Sequence, residues 1–140
     1  MKHRIDVTNL AELPEKAAYF ISLFKSPHFF AFEGEMGSGK TTFITSILQA
    51  LFIEETEGSP TYSIINEYLT PSGEKVYHLD CYRLKNHSEA LDLGLDELFD
   101  SNAWFFVEWA EKVEFLLPPH TIWVYIRKHE YETREISFTL

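Results

Sequence analysis

The stretch FFAFEGEMGSGKTT, residues 29–42, limits what this chain can fold into more than any other part of it. The run through 28–33 is apolar without alternation, a pattern suited to a parallel strand covered on both faces. Three glycines follow at 34, 37 and 39. Phe43, Ile44, Ile47, Leu48, Leu51 and Phe52 then recur at the spacing of one helical face, starting near Lys40. A buried strand, a glycine loop and an amphipathic helix in that order belong to an α/β architecture.

Inside this stretch, Gly34-Glu35-Met36-Gly37-Ser38-Gly39-Lys40-Thr41 satisfies G-x-x-x-x-G-K-[ST] at every fixed position. Glycines let backbone amides turn inward and approach phosphates closely. The helix beginning at Lys40 would add the positive end of its dipole to an anion site. In such a P-loop, Gly37, Ser38 and Gly39 line the phosphates, Lys40 bridges the β- and γ-phosphates, and the Thr41 hydroxyl binds Mg²⁺. The bland alternative is a chance match in an ordinary loop; the strand before it and the helix after it weigh against that.

The remaining elements follow from local pattern. Residues 3–7 read as a short strand. A helix follows with Asn9 and Glu12 spaced as a capping box, Pro14 in its first turn, and Ala17, Ala18, Ile21 and Phe24 on its apolar face. EETEGSP (54–60) reads as a polar surface loop. SIINEYLT and EKVYHLD form two strands joined at 70–73, a link too short for a parallel crossover, so the pair is antiparallel. Residues 88–99 read as one or two short helices with Leu91, Leu95, Leu98 and Phe99 inward. AWFFV (103–107) is a second unbroken apolar strand ending at Glu108, and 109–116 form a short helix. TIWVYIRK and REISFTL make a closing hairpin. The expectation is one domain over 1–140, a P-loop NTPase-like α/β fold with a mixed sheet, flanking helices and antiparallel hairpins. A chain of this length buries roughly 68–70% of the surface exposed when unfolded.

Charge narrows the partners. There are 22 acidic against 12 basic residues, giving a net charge of −10, and only Arg4, Arg83, Arg127 and Arg134 are arginines. Gripping a nucleic-acid backbone takes clustered Lys and Arg, and the sequence has no such cluster. Any service to a nucleic acid would run through another protein. No stretch approaches about 20 apolar residues and no signal-peptide pattern opens the chain, so the expectation is a soluble cytoplasmic protein. The single cysteine, Cys81, excludes an intramolecular disulfide.

A phosphate loop needs a carboxylate at the end of a neighbouring strand to hold the metal or its water. Asp80 and Glu108 both end strands, and Glu108 is the better metal candidate because an apolar strand leads straight into it. Either, taken alone, reads equally as an acid where a strand surfaces. His78, Asp80 and Tyr82 share one face of their strand. A zinc site at His78 wants further His or Cys ligands at useful spacing, so His78 reads as a satisfied structural histidine. Cys81 faces the opposite way and reads as core. Thr61, in SPTYS, stands where a switch segment would reach the γ-phosphate side of the metal, or in a plain turn.

Taken in order, GEMGSGKTT, SPTY, YHLDCYR, LGL, VEW and the closing REIS strand resemble the TsaE family, from about Ile5 to Leu140. The resemblance implies a bacterial P-loop ATPase required for threonylcarbamoyladenosine formation in tRNA. It implies ATP and Mg²⁺ as cofactors, and TsaD and TsaB as protein partners, with tRNA reached only through that complex. By the same resemblance Lys40 and Thr42 contact phosphates, Thr41 and Glu108 hold Mg²⁺, Thr61 is a switch threonine, Asp80 occupies a Walker-B-like position, and Trp109 orders the site. Thr8 and Arg134 would flank the base or ribose. Ser38 and Ala110 depart from the residues common in the family, alanine and proline. One competing reading is a small-molecule or nucleoside kinase, but its arginine-bearing lid is not visible: between Lys40 and Glu108 only Arg83 is an arginine. The other is a nucleotide-gated binding module with no useful hydrolysis.

Overall fold

The computed structural model describes residues 1–54, 56 and 64–140. The loop over 54–60 and Thr61 therefore lie wholly or largely outside the described residues. Seven strands form one sheet in the order β1-β7-β6-β2-β5-β4-β3: β1 Lys2–Val7, β2 Phe29–Glu33, β3 Ile65–Leu69, β4 Lys75–Asp80, β5 Trp104–Glu108, β6 Ile122–Lys128 and β7 Arg134–Thr139. The four central strands, β6, β2, β5 and β4, run parallel. β3 on one side, and β7 with β1 on the other, run antiparallel to their neighbours. This is the mixed sheet with antiparallel hairpins that the sequence predicts.

The unbroken apolar strands are buried on both faces, and their alternation builds two cores. Phe30 and Phe32 of β2, with Phe106 of β5, point towards helices α1 (Leu13–Ser22) and α2 (Lys40–Ala50). Phe29 and Ala31, with Phe105 and Val107, point the other way, against Leu84, Ala90, Leu95 and Val113. Those residues belong to or adjoin α3 (His87–Asp92), α4 (Leu95–Leu98) and a 3₁₀ segment over Ala110–Leu116. Phe20 of α1 is fully buried and packs against Phe24, Phe30, Phe43 and Phe138 at centroid distances of 5.1–5.5 Å. Contacts of this geometry add to burial itself.

Five local expectations are corrected. The buried face of α1 is Leu13, Ala17 and Phe20, with Ala18 exposed; packing onto the sheet selects this phase of the helix. Its capping box is present, but it opens a 3₁₀ turn (Leu10–Glu12) rather than the α-helix itself. Phe52 does not continue the apolar face of α2: it takes φ +66 beyond the helix end and is 76% exposed. Leu91 is likewise exposed, because α3 ends at Asp92 and the break at Gly94 re-aims the chain before Leu95. The helix expected over 109–116 is 3₁₀ and kinked at Val113. Among the described residues no helix is long and apolar enough to cross a membrane.

Candidate functional site

β2 ends at Glu33 in the middle of the sheet, and α2 begins at Lys40, so the glycine-rich loop lies over the carboxyl end of the parallel strands. Gly34 and Gly39 in it tolerate no side chain without movement or strain. A Cβ on Gly34 would stand 2.6 Å from the Ile126 carbonyl oxygen and 2.7 Å from Ser38 Oγ. Gly39, the residue before α2, takes φ +102, where L side chains are strained. Ser38 is 3% exposed, and its Oγ has no hydrogen-bond partner among the described residues.

The first turn of α2 delivers the chemistry. Thr41 Oγ1 donates to Glu108 Oε1 at 2.7 Å, joining the helix start to the end of the adjacent strand β5. Glu108 is 3% exposed. Its other oxygen, Oε2, lies 2.6 Å from Nε2 of His78, which is fully buried on β4. Lys40 Nζ donates to the Gly34 carbonyl and stands 4.0 Å from the centre of the Trp109 ring. Burial lowers the Lys40 pKa, opposed by the attraction of Glu108, Glu111, Asp80 and Glu33. Trp109 has φ +55, and its ring also meets that of Tyr82, with centroids 5.0 Å apart.

A cleft of about 380 Å³ gathers Ser38, Lys40, Thr41, Thr42, Asp80 and Glu108, together with Gly37, Gly39, Trp109 and Arg134. Asp80 stands beside Glu108 in the parallel register of β4 and β5. Arg134, at the start of β7, reaches the loop itself: its Nε donates to the Ser38 carbonyl at 2.7 Å, and its guanidinium also meets Glu132. Thr8 is not brought into the cleft; its hydroxyl and amide both donate to Glu12, in the capping box before α1. Thr61 lies outside the described residues. A larger depression of about 1000 Å³ touches the outer side of the loop, between Glu33, Tyr125, Arg127 and Glu135, but contains none of Lys40, Thr41 and Glu108. The smaller cleft is where the reactive groups converge.

Sequence reasoning left His78 as a structural residue and missed its partner. The period of two put its side chain on the face of Asp80, but Glu108 is 30 positions away and meets it only because β4 and β5 are neighbours. The oxygen donors here, a hydroxyl and a carboxylate, suit a hard cation such as Mg²⁺. Among the described residues no group of three or more His, Cys, Asp or Glu could hold a metal ion by itself. A cation at Thr41 and Glu108 would need oxygens from a bound phosphate, which is how Mg²⁺ is commonly held. The chemistry of these donors and the orphaned Ser38 Oγ both fit such a group.

Fold and site together define a class: an α/β protein with a parallel-centred mixed sheet whose G-x-x-x-x-G-K-T loop turns from a central strand into a helix. The model of the family described as threonylcarbamoyl adenosine biosynthesis protein TsaE matches residues 7–136. The tRNA threonylcarbamoyladenosine biosynthesis protein TsaE of Bacillus subtilis (strain 168) is 41% identical over 107 residues, which are 76% of this chain and 66% of that protein. The protein of the same name from Rickettsia bellii is 33% identical over 124 residues, covering 88% of this chain and 85% of that one. A crystal structure of Bacillus subtilis YdiB matches with a TM-score of 0.78 and 29% identity, covering 99% of this chain and 84% of that one. The match spans just under two thirds of the length of the Bacillus subtilis relative and 58% of one from Haemophilus influenzae. The chain belongs to the TsaE family.

Proposed function

We propose that this chain is a Mg²⁺-dependent ATPase that serves threonylcarbamoyladenosine formation in tRNA, by binding a TsaD–TsaB pair and coupling ATP hydrolysis to its cycle. The observation that carries the chemical part is the junction of Thr41 and Glu108 at 2.7 Å beside Lys40, at the mouth of the glycine-rich loop. The biological part follows from family membership and from the names its relatives carry.

In this reading the amides of the loop and the Lys40 ammonium offset the charge of the triphosphate, electrostatic work that dominates phosphoryl transfer. Lys40 leaves the Gly34 carbonyl and the Trp109 ring to meet the β- and γ-phosphates. Thr41 and Glu108 hold Mg²⁺, which when bound draws charge from the phosphate oxygens. Asp80, in register with Glu108 on the next strand, orients the attacking water. Thr42 meets a phosphate oxygen from the first turn of α2. Arg134 holds the loop from β7 through the Ser38 carbonyl. Its guanidinium is engaged there and with Glu132, so hydrolysis by the chain alone is slow, and the partner pair completes or orders the site.

The test is ATP hydrolysis by the purified chain, alone and mixed with the matching TsaD–TsaB pair. Binding of the pair with a change in turnover that Lys40→Ala abolishes supports the proposal. Indifference to the pair, with phosphate moved to a small acceptor, would make the chain a kinase instead.

A further inference from the structure

Glu108 is gripped at both oxygens, and the two grips come from different layers of the fold. Oε1 takes the Thr41 hydroxyl from α2; Oε2 lies 2.6 Å from Nε2 of His78 on β4. We propose that His78 is the positioning residue of this site, fixing the Glu108 carboxylate so that Oε1 is presented to a divalent cation beside Thr41. This inference deepens the Mg²⁺-ATPase reading and rests on it.

The placement argues for the role. His78 pairs with Phe106 and Asp80 pairs with Glu108 in the parallel ladder, so the imidazole lies one pleat behind Glu108, on the face of the sheet that meets α2. The ring is 0% exposed and sits beside an apolar core, where a polar group is costly unless bonded. The one hydrogen bond it makes among the described residues is to Glu108, and its Nδ1 has no partner there. A histidine serving only to fill space would be better replaced by an aliphatic side chain. An ionised carboxylate only accepts hydrogen bonds, so against an ionised Glu108 the Nε2–H of His78 is the hydrogen-bond donor and Oε2 the acceptor.

A glutamate needs such a hold more than an aspartate does. It has one more rotatable bond, and a free carboxylate at its end would sample several positions relative to Thr41. His78 removes that freedom and satisfies the oxygen turned away from the cleft. The arrangement is the second layer that orients a metal ligand, whose loss typically costs 10–100-fold in metal affinity.

The experiment measures Mn²⁺ as a stand-in for Mg²⁺, titrated in the presence of an ATP analogue with a non-hydrolysable β–γ bridge and read from the paramagnetic resonance of free Mn²⁺. His78→Leu, of similar volume and without a donor, is expected to weaken Mn²⁺ binding by about 10–100-fold. His78→Gln, which places an amide N–H near the position of Nε2, should restore most of it, and analogue binding in EDTA should be the same in all three proteins. If His78→Leu lowers the melting temperature but binds Mn²⁺ like the parent, His78 is structural and the inference falls alone. If the parent itself binds no Mn²⁺ with the analogue, the ATPase reading falls and takes this inference with it. Should His78→Leu fail to fold, the nitrogen-15 spectrum of the parent's imidazole decides: the His78 Nε2 signal should move when Mg²⁺ joins the analogue complex, and a signal indifferent to Mg²⁺ overturns the proposal.

Discussion

Residue by residue, the site depends on positions where only one chemistry fits. At Gly39, φ +102 is costly for any L side chain, and an added Cβ would stand 3.4 Å from Arg134 Nε. Gly39→Ala is therefore expected to lower unfolding free energy by about 1–3 kcal/mol. It should also weaken nucleotide binding, because the strained residue fixes the entry into α2. Denaturant unfolding and calorimetric titration with ATP measure the two effects separately. Cys81 offers a pH test. Burial first, then the nearby carboxylates of Asp80, Glu111 and Glu108, push its thiol from 9.0 up to about 12. The folded chain thus keeps a proton that the unfolded chain releases, so the contribution to stability is complete below pH 9 and lost as pH rises towards 12. Unfolding free energy measured over that interval should fall, and Cys81→Ala should flatten this part of the slope. In the folded chain, alkylation of Cys81 at pH 8 should be negligible.

At the scale of elements, what was legible in the sequence was what local pattern dictates. The strands at Phe29–Glu33 and Trp104–Glu108 announced themselves as unbroken apolar runs, and the two hairpins by their short turns. Asn9 and Glu12 marked a capping box three residues apart, and the structure contains it. Asn9→Ala should cost about 1 kcal/mol, seen as a lower melting temperature. The hydroxyl of Thr8, and then the amides of Thr8 and Asn9, hold the Glu12 carboxyl below its usual range. The cap therefore acts in full above the ordinary carboxylate range and fails as pH drops through the folded value. What the sequence hid was the phase of a helix and the neighbour of a strand. Ala17, Ala18, Ile21 and Phe24 make as good a stripe as Leu13, Ala17, Phe20 and Phe24, and only the aromatic cluster around Phe20 decides between them. Similarly, Lys40, Thr41 and Glu108 could be picked out singly, but the bond from His78 to Glu108 needs strand order, which no local pattern carries.

For the molecule as a whole, a charge of −10 works against the anion that the cleft is proposed to bind. Association with Mg²⁺-ATP should quicken as salt rises from low ionic strength, since screening relieves repulsion. By the same balance the chain alone should not retard tRNA in a gel at physiological salt; retardation that weakens steeply with salt would show a direct phosphate grip and overturn the indirect route. The three tryptophans divide unequally between frame and site. Trp104 is fixed in the sheet, its indole N–H donating to Glu74 at 3.1 Å, and Trp123 on β6 packs against the core that holds Phe29, Ala31 and Phe105. Trp109 alone lies between an exposed tyrosine and the lysine of the loop, with the ammonium 4.0 Å from its ring. Charge that close to an indole alters its light emission, so any ligand that draws Lys40 away should change the protein's intrinsic fluorescence. The chain thus carries a built-in optical gauge of its own loop, with Trp104 and Trp123 as steady background.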